Sequence, residues 1–216
     1  MAKPKLSTPT SAFTHLRINT DAVSALILAG GLGKRMSHQG QGTDKGLTHF
    51  RGRPMVAHVI DRIVPQIAGD LIINCNQNLD AYKALASTQS ILVADSIEGF
   101  AGPLAGLEAG LAATRTEWLV TAPCDTPFLP LNLVEQFLVN ANAKQVDLLV
   151  ARDPQQTHPV FMMVHQSVLS NLRAYLSSGE RKVDRWYRGL KHTEVLFSDA
   201  QNFANINTLA ELRRLE

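Results

Sequence analysis

The residues Val23-Ser24-Ala25-Leu26-Ile27-Leu28-Ala29-Gly30-Gly31-Leu32-Gly33-Lys34-Arg35-Met36 join an apolar segment to a glycine-rich, cationic one. Val23–Ala29 has the length and composition of one buried β-strand. Gly30-Gly31 ends it. Consecutive glycines let a backbone turn sharply and approach a ligand closely. Their exposed N–H groups can cradle phosphate oxygens, and Lys34 and Arg35 add positive charge. Glycines alone fit a plain strand-to-helix turn equally well. Two familiar glycine motifs are excluded. The dinucleotide fingerprint needs a small residue where Met36 stands, and the P-loop needs Ser or Thr where Arg35 stands.

Outward from this stretch, strands and helices alternate. Pro54 opens a helical pattern with Val56, Val59, Ile60 and Ile63 on one face. Leu71–Cys75 reads as a strand, Leu79–Ala86 as a helix and Ile91–Ala94 as a short strand. Pro103–Thr114 reads as a helix, Trp118–Ala122 as a strand, Leu131–Ala143 as a helix and Asp147–Ala151 as a strand. This rhythm predicts βαβ units and a mostly parallel sheet: an α/β, Rossmann-like three-layer sandwich with its ligand site at the strand carboxyl ends. Past Arg152 the pattern changes. Strands are expected at Pro159–Val164, Thr193–Phe197 and Phe203–Ile206, and helices at Val168–Leu176, Lys182–Tyr187 and Thr208–Leu215.

The 216 residues suffice for one α/β domain. We expect residues 1–20 to form a disordered or weakly ordered tail and residues 21–216 a single domain. A net charge of +2 gives no reason to expect nucleic acid or a membrane surface as a partner. Aromatic residues, at 6%, are too few to suggest a stacking platform for single strands. No apolar run approaches the ~18 residues that span a bilayer. Cys75 and Cys124 lack partners at metal-finger spacing, and with no secretory signal a reducing cytoplasm is the expected location.

Three loops at expected strand ends carry chemistry. The first is the glycine loop. Asp44-Lys45-Gly46-Leu47 follows it and places a third cation near Lys34 and Arg35; three cations among glycines suit a triphosphate, although a solvated loop would carry the same charges. Asp95 follows the third strand. Asp125, in Pro123-Cys124-Asp125-Thr126-Pro127, follows the strand at Trp118–Ala122, where nucleotide enzymes place a metal-binding carboxylate; an Asp capping a turn is the plain alternative. Gly102-Pro103-Leu104-Ala105-Gly106 starts a helix, leaving N–H groups free for an anion or simply packing small residues tightly.

Together these pieces resemble the molybdenum cofactor guanylyltransferases, within a wider nucleotidyltransferase group. The match runs through Leu28-Ala29-Gly30-Gly31, Arg35-Met36, Asp44-Lys45-Gly46-Leu47, Ile73-Asn74-Cys75-Asn76, Asp95, Gly102–Gly106 and Pro123–Pro127. It continues in Gly179-Glu180-Arg181-Lys182-Val183 and Phe203-Ala204-Asn205-Ile206-Asn207-Thr208. The resemblance implies that Leu28, Ala29, Gly30 and Gly31 line a nucleotide pocket. It implies that Lys45 contacts the phosphates, that Asn74 and Asp95 bind and select guanosine, and that Asp125 holds Mg2+. Arg181, Lys182, Asn205 and Asn207 are implied for the second substrate, the anionic molybdopterin. The implied reaction moves GMP from GTP to the molybdopterin phosphate and releases pyrophosphate, with Arg35, Lys45 and Asp125 as catalytic groups. Molybdenum insertion proteins and molybdoenzyme chaperones are the implied protein partners. Ser37–Thr43 is longer than the matching family segment, and Leu209 replaces the proline that often follows Asn-x-Asn-Thr in the family. Alternatives are a related transferase using CTP or a sugar-phosphate acceptor, a non-catalytic nucleotide-binding module, or a dehydrogenase, which Met36 argues against.

Overall fold

A computed structural model describes residues 18–31, 44–86, 90–97 and 102–216. Residues 1–17 of the tail expected at 1–20, Arg35 and the Ser37–Thr43 segment lie outside the described residues. The strands are β1 (Val23–Leu28), β2 (His49–Phe50), β3 (Arg53–Pro54), β4 (Leu71–Asn74), β5 (Ile91–Val93), β6 (Trp118–Pro123), β7 (Leu148–Arg152), β8 (Thr157–His165) and β9 (His192–Leu196). The helices are α1 (Met55–Ile63), α2 (Leu79–Leu85), α3 (Pro103–Ala113), α4 (Leu133–Ala143), α5 (Leu169–Ser177), α6 (Val183–Tyr187) and α7 (Leu209–Leu215).

Seven strands form one sheet in the order β5-β4-β1-β6-β8-β7-β9. All its neighbouring pairs are parallel except the two that β8 makes, with β6 and with β7. The interior strand β1 is buried at Val23–Ile27 because both faces of the sheet are covered. Ala25 and Ile27 point to one face and pack with Val56, Val59 and Ile63 of α1, Tyr82 of α2 and Phe137 of α4. Leu26 points to the other face and packs with Leu104, Leu107 and Leu111 of α3, Leu172 of α5 and Trp186 of α6. This is the expected three-layer α/β sandwich.

Element bounds agree with the sequence reading to within a residue or two, with three departures. The strand expected at Phe203–Ile206 does not form. Ala200–Phe203 is a 3-10 turn, and the Ile206 N–H donates to the Asp125 carbonyl at 2.9 Å instead of to a strand partner. The β2–β3 hairpin was not foreseen. It packs Phe50 against Met55, Ile206 and Leu212, bringing the chain's last segment beside the Asp44–Pro54 region. Third, β8 begins at Thr157, so Pro159 lies inside the strand and not at its start. Proline cannot donate to a ladder, and the β7–β8 register jumps between Val150 and Ala151, so a bulge accommodates it.

Candidate active site

Strand register sets the site. Leu28 pairs with Asn74 on one side and Pro123 on the other, and Asn74 pairs with Val93. The four strands therefore end level, and the residues just beyond them stand in a row. Together they line a cavity of about 410 Å3 that takes in Leu28, Gly30, Gly31, Lys45, Asn74, Asp95, Asp125 and Asn205. Gly102, Pro103, Pro123, Cys124 and Val160 complete its wall.

One end of the constellation is an amide–carboxylate cluster. Asn74, 3% exposed, donates through Nδ2 to Asp95 Oδ1 at 2.9 Å. Asn76 Nδ2 donates to Asp95 Oδ2 at 2.9 Å, and the Asp95 N–H donates back to Asn76 Oδ1 at 2.9 Å. Both carboxylate oxygens are held, yet each keeps lone pairs for a further donor. The two asparagine side chains pack closely against two glycines. A Cβ on Gly30 would lie 2.9 Å from Asn76 Nδ2 and 3.0 Å from Asn74 Oδ1, and one on Gly106 would collide with Asn74 Oδ1. Asn76 stands in the motif quoted above but was given no role; its two-residue spacing from Asn74 was the available signal.

The other part is a charged centre. Lys45 Nζ donates to Asp125 Oδ2 at 3.1 Å and to Asn207 Oδ1 at 2.7 Å. These two ionic side chains are only 21% and 12% exposed. Asn205 Oδ1 accepts from the Thr126 hydroxyl at 2.9 Å, locking the C-terminal segment to the loop after β6. Asn207 is placed in turn by α7: Glu211 Oε2 accepts from the Asn207 N–H at 2.8 Å and the Thr208 N–H at 3.0 Å in a capping box. Burial first, and then the charge of Asp125, push the Cys124 thiol far above its ordinary range, so it stays neutral as a wall residue.

The remaining expected site residues are placed differently. Ala29 is buried, and its N–H donates to the Asn74 carbonyl at 2.8 Å, holding the β1–β4 pair together at the site's edge. Arg181 and Lys182 do not line the cavity. Arg181 Nη1 donates to the Leu176 and Glu180 carbonyls, each at 2.7 Å, and Lys182 is exposed.

The donor set fits a hard divalent cation of one kind. Among the described residues, no three His, Cys, Asp or Glu side chains gather as a metal cage. Asp125 instead offers one carboxylate to the cavity, the arrangement in which Mg2+ takes one or two protein oxygens and completes its shell with substrate phosphates and water.

The family model for the MobA-like NTP transferase domain matches residues 25–195. The chain belongs to this family. Among its relatives, the molybdenum cofactor guanylyltransferase of Cupriavidus taiwanensis is 48% identical over 204 residues, covering 92% of this chain and 98% of that one. The one from Bordetella petrii is 42% identical over 202 residues, covering 92% and 99%. The crystal structure of molybdopterin-guanine dinucleotide biosynthesis protein A from Archaeoglobus fulgidus has a TM-score of 0.71 at 22% identity, covering 89% of this chain and 96% of that one. The 4-diphosphocytidyl-2C-methyl-D-erythritol synthase of Anaerococcus prevotii also reaches 0.71, at 15% identity, covering 90% and 95%, and shares the fold. As a nucleotidyltransferase of the MobA-like family, the chain thus keeps its amide–carboxylate cluster and its Lys45–Asp125 centre within one cavity.

Proposed function

We propose that the chain transfers GMP from GTP to molybdopterin, with release of pyrophosphate, as a cytoplasmic, magnesium-dependent step of molybdenum cofactor biosynthesis. The observation that carries this reading is the union, in one cavity, of an acceptor cluster for a base with a cation–carboxylate centre for phosphates. The relatives named as molybdenum cofactor guanylyltransferases support the choice of base and acceptor.

Guanine presents N1–H and a 2-amino group, both donors. The Asp95 carboxylate, fixed by Asn74 and Asn76, would accept from them, and Gly30 lets the ring approach closely. Lys45, with Arg35 and the loop amides, would neutralise charge that builds on the leaving pyrophosphate. Asp125 would hold Mg2+, which supplies Lewis-acid polarisation of the α-phosphate. Asn205 and Asn207 would face the molybdopterin acceptor, whereas Arg181 and Lys182 lie outside the cavity. The acceptor phosphate is already ionised at neutral pH, so it can attack the α-phosphorus in line with no protein base. Among the described residues no helix is long and apolar enough to cross a membrane.

The test is a titration of the Mg2+ complexes of GTP, ATP, CTP and UTP, beside a transfer assay with molybdopterin. GTP should bind at least about tenfold more tightly than CTP, because cytosine lacks the adjacent N1–H and 2-amino donors that the carboxylate would accept from. Tighter CTP binding would replace this reading with that of a cytidylyltransferase.

A further inference from the structure

Asp44 precedes Lys45 and has no part in the reaction above. It does not line the cavity, yet its carboxylate has three partners. Oδ1 accepts from the Gly46 N–H at 3.1 Å and from the Tyr82 hydroxyl at 2.6 Å. Oδ2 accepts from Asn78 Nδ2 at 3.0 Å. Two of those partners belong to the β4–α2 unit: Tyr82 is a fully buried residue of α2, and Asn78 is its N-cap. Asn78 adopts the left-handed conformation, φ 55° and ψ 35°, which asparagine tolerates better than most residues.

The lysine's other flank is fixed as tightly. The Gly46 carbonyl accepts from the Val56 N–H of α1 at 2.9 Å. A Cβ on Gly46 would collide with the Tyr82 hydroxyl and lie 3.3 Å from Cys124 Sγ. Burial, followed by the neighbouring Cys124 and Asp44, raises the Tyr82 phenol far above its ordinary range, so it remains a donor at working pH. Lysine is a compact charge on a flexible stem, costly in rotamer entropy to hold in place. An anchored backbone on both sides restricts where its ammonium can go.

We propose that Asp44, Tyr82 and Asn78 form a positioning network that aims the Lys45 ammonium at the nucleotide's triphosphate. None of the three touches the nucleotide; they act through Lys45. The inference rests on the reading of Lys45 as the phosphate-binding lysine.

Tyr82→Phe and Asp44→Asn are made in the full chain, alone and on a Lys45→Ala background. Binding of Mg2+–GTP and of guanosine is measured for each, with a melting curve. Tyr82→Phe should weaken GTP binding by about fivefold to tenfold, the worth of one ordinary hydrogen bond, and leave guanosine binding unchanged. On the Lys45→Ala background it should add nothing, because the group it positions is gone. Equal losses for GTP and guanosine, or effects that add to Lys45→Ala, would overturn the network. So would unchanged GTP binding in Tyr82→Phe while Lys45→Ala weakens it. If Lys45→Ala itself binds GTP normally, the phosphate role of Lys45 falls and the network with it. Tyr82→Phe removes a single hydroxyl and keeps the test open if Asp44→Asn fails to fold.

Discussion

Asp125 enters the cavity from the end of β6 with its main chain secured: its carbonyl accepts from the Ile206 N–H at 2.9 Å. That bond does not depend on the side chain, so Asp125→Asn should fold. Asparagine keeps one oxygen and loses the charge that attracts a hard cation. Transfer should fall on the order of a hundredfold, equivalent to about 3 kcal/mol of lost transition-state stabilisation. GTP affinity should fall much less, since Lys45 and the Asn74–Asp95 cluster remain. A transfer assay, a GTP titration and a melting curve on one preparation would check all three outcomes. Turnover within about threefold of the parent would place the metal elsewhere. Asn74 makes a different point at this scale. Its burial inside a hydrogen-bonded cluster was not visible in Ile73-Asn74-Cys75-Asn76; it follows from Gly106, on α3, leaving room for its side chain.

At the scale of elements, α3 links the cavity at the strand ends to the helical layer that it forms with α5. It begins at Gly102, φ 80°, with Pro103 in its first turn, and it is buried from Leu104 to Leu111. That stretch includes an ionisable residue, Glu108, which is 5% exposed. Its Oε1 accepts from Arg173 Nε of α5 at 2.7 Å, and its Oε2 accepts from the Ser96 hydroxyl, next to Asp95. A carboxylate this buried is costly unless paired. Arg173→Ala should therefore destabilise the protein by about 1–2 kcal/mol, below the fully buried case because the arginine is itself half exposed. Urea unfolding at neutral pH would measure it. An unchanged midpoint would mean that water already satisfies Glu108. In the sequence, Glu108 reads as one polar position in an Ala- and Leu-rich helix. Its partners come from residues 96 and 173, which only packing brings together.

For the molecule as a whole, the response to acid involves two carboxylates that hold local turns in the C-terminal third, and both lie below their ordinary range. For Glu211 the leading cause is the Asn207 N–H, which outweighs burial and is joined by the Thr208 N–H and hydroxyl and by Arg214. For Asp153 burial is the largest single influence and opposes the shift, but the Gln156 and Gln155 N–H groups and His158 together exceed it. A carboxyl depressed in the folded state binds fewer protons there than in the unfolded chain. Its contribution is complete above the ordinary carboxylate value and is lost as pH falls through the folded-state value. Stability should thus be level near neutrality and decline with acid, and Glu211→Gln and Asp153→Asn should each flatten the decline. Unfolding free energies measured from pH 7 to about pH 3, across the carboxylate range, would check this; identical slopes in parent and variants would remove both groups from the account. The α/β layering, the parallel β1, β4, β5 and β6, and the loops that bear Lys45, Asp95 and Asp125 were legible from the chain alone, because apolar periodicity and glycine placement are local properties. The reversed direction of β8, the hairpin at His49–Pro54 and the departure of Phe203–Ile206 from the sheet toward Asp125 emerged only in the folded chain. So did the meeting of Asn207 with Lys45 and the turn of Arg181 to the Leu176 carbonyl. Those outcomes depend on which backbone donors and side-chain charges find partners across the fold, and a linear pattern carries no information about distances between residues far apart in the chain.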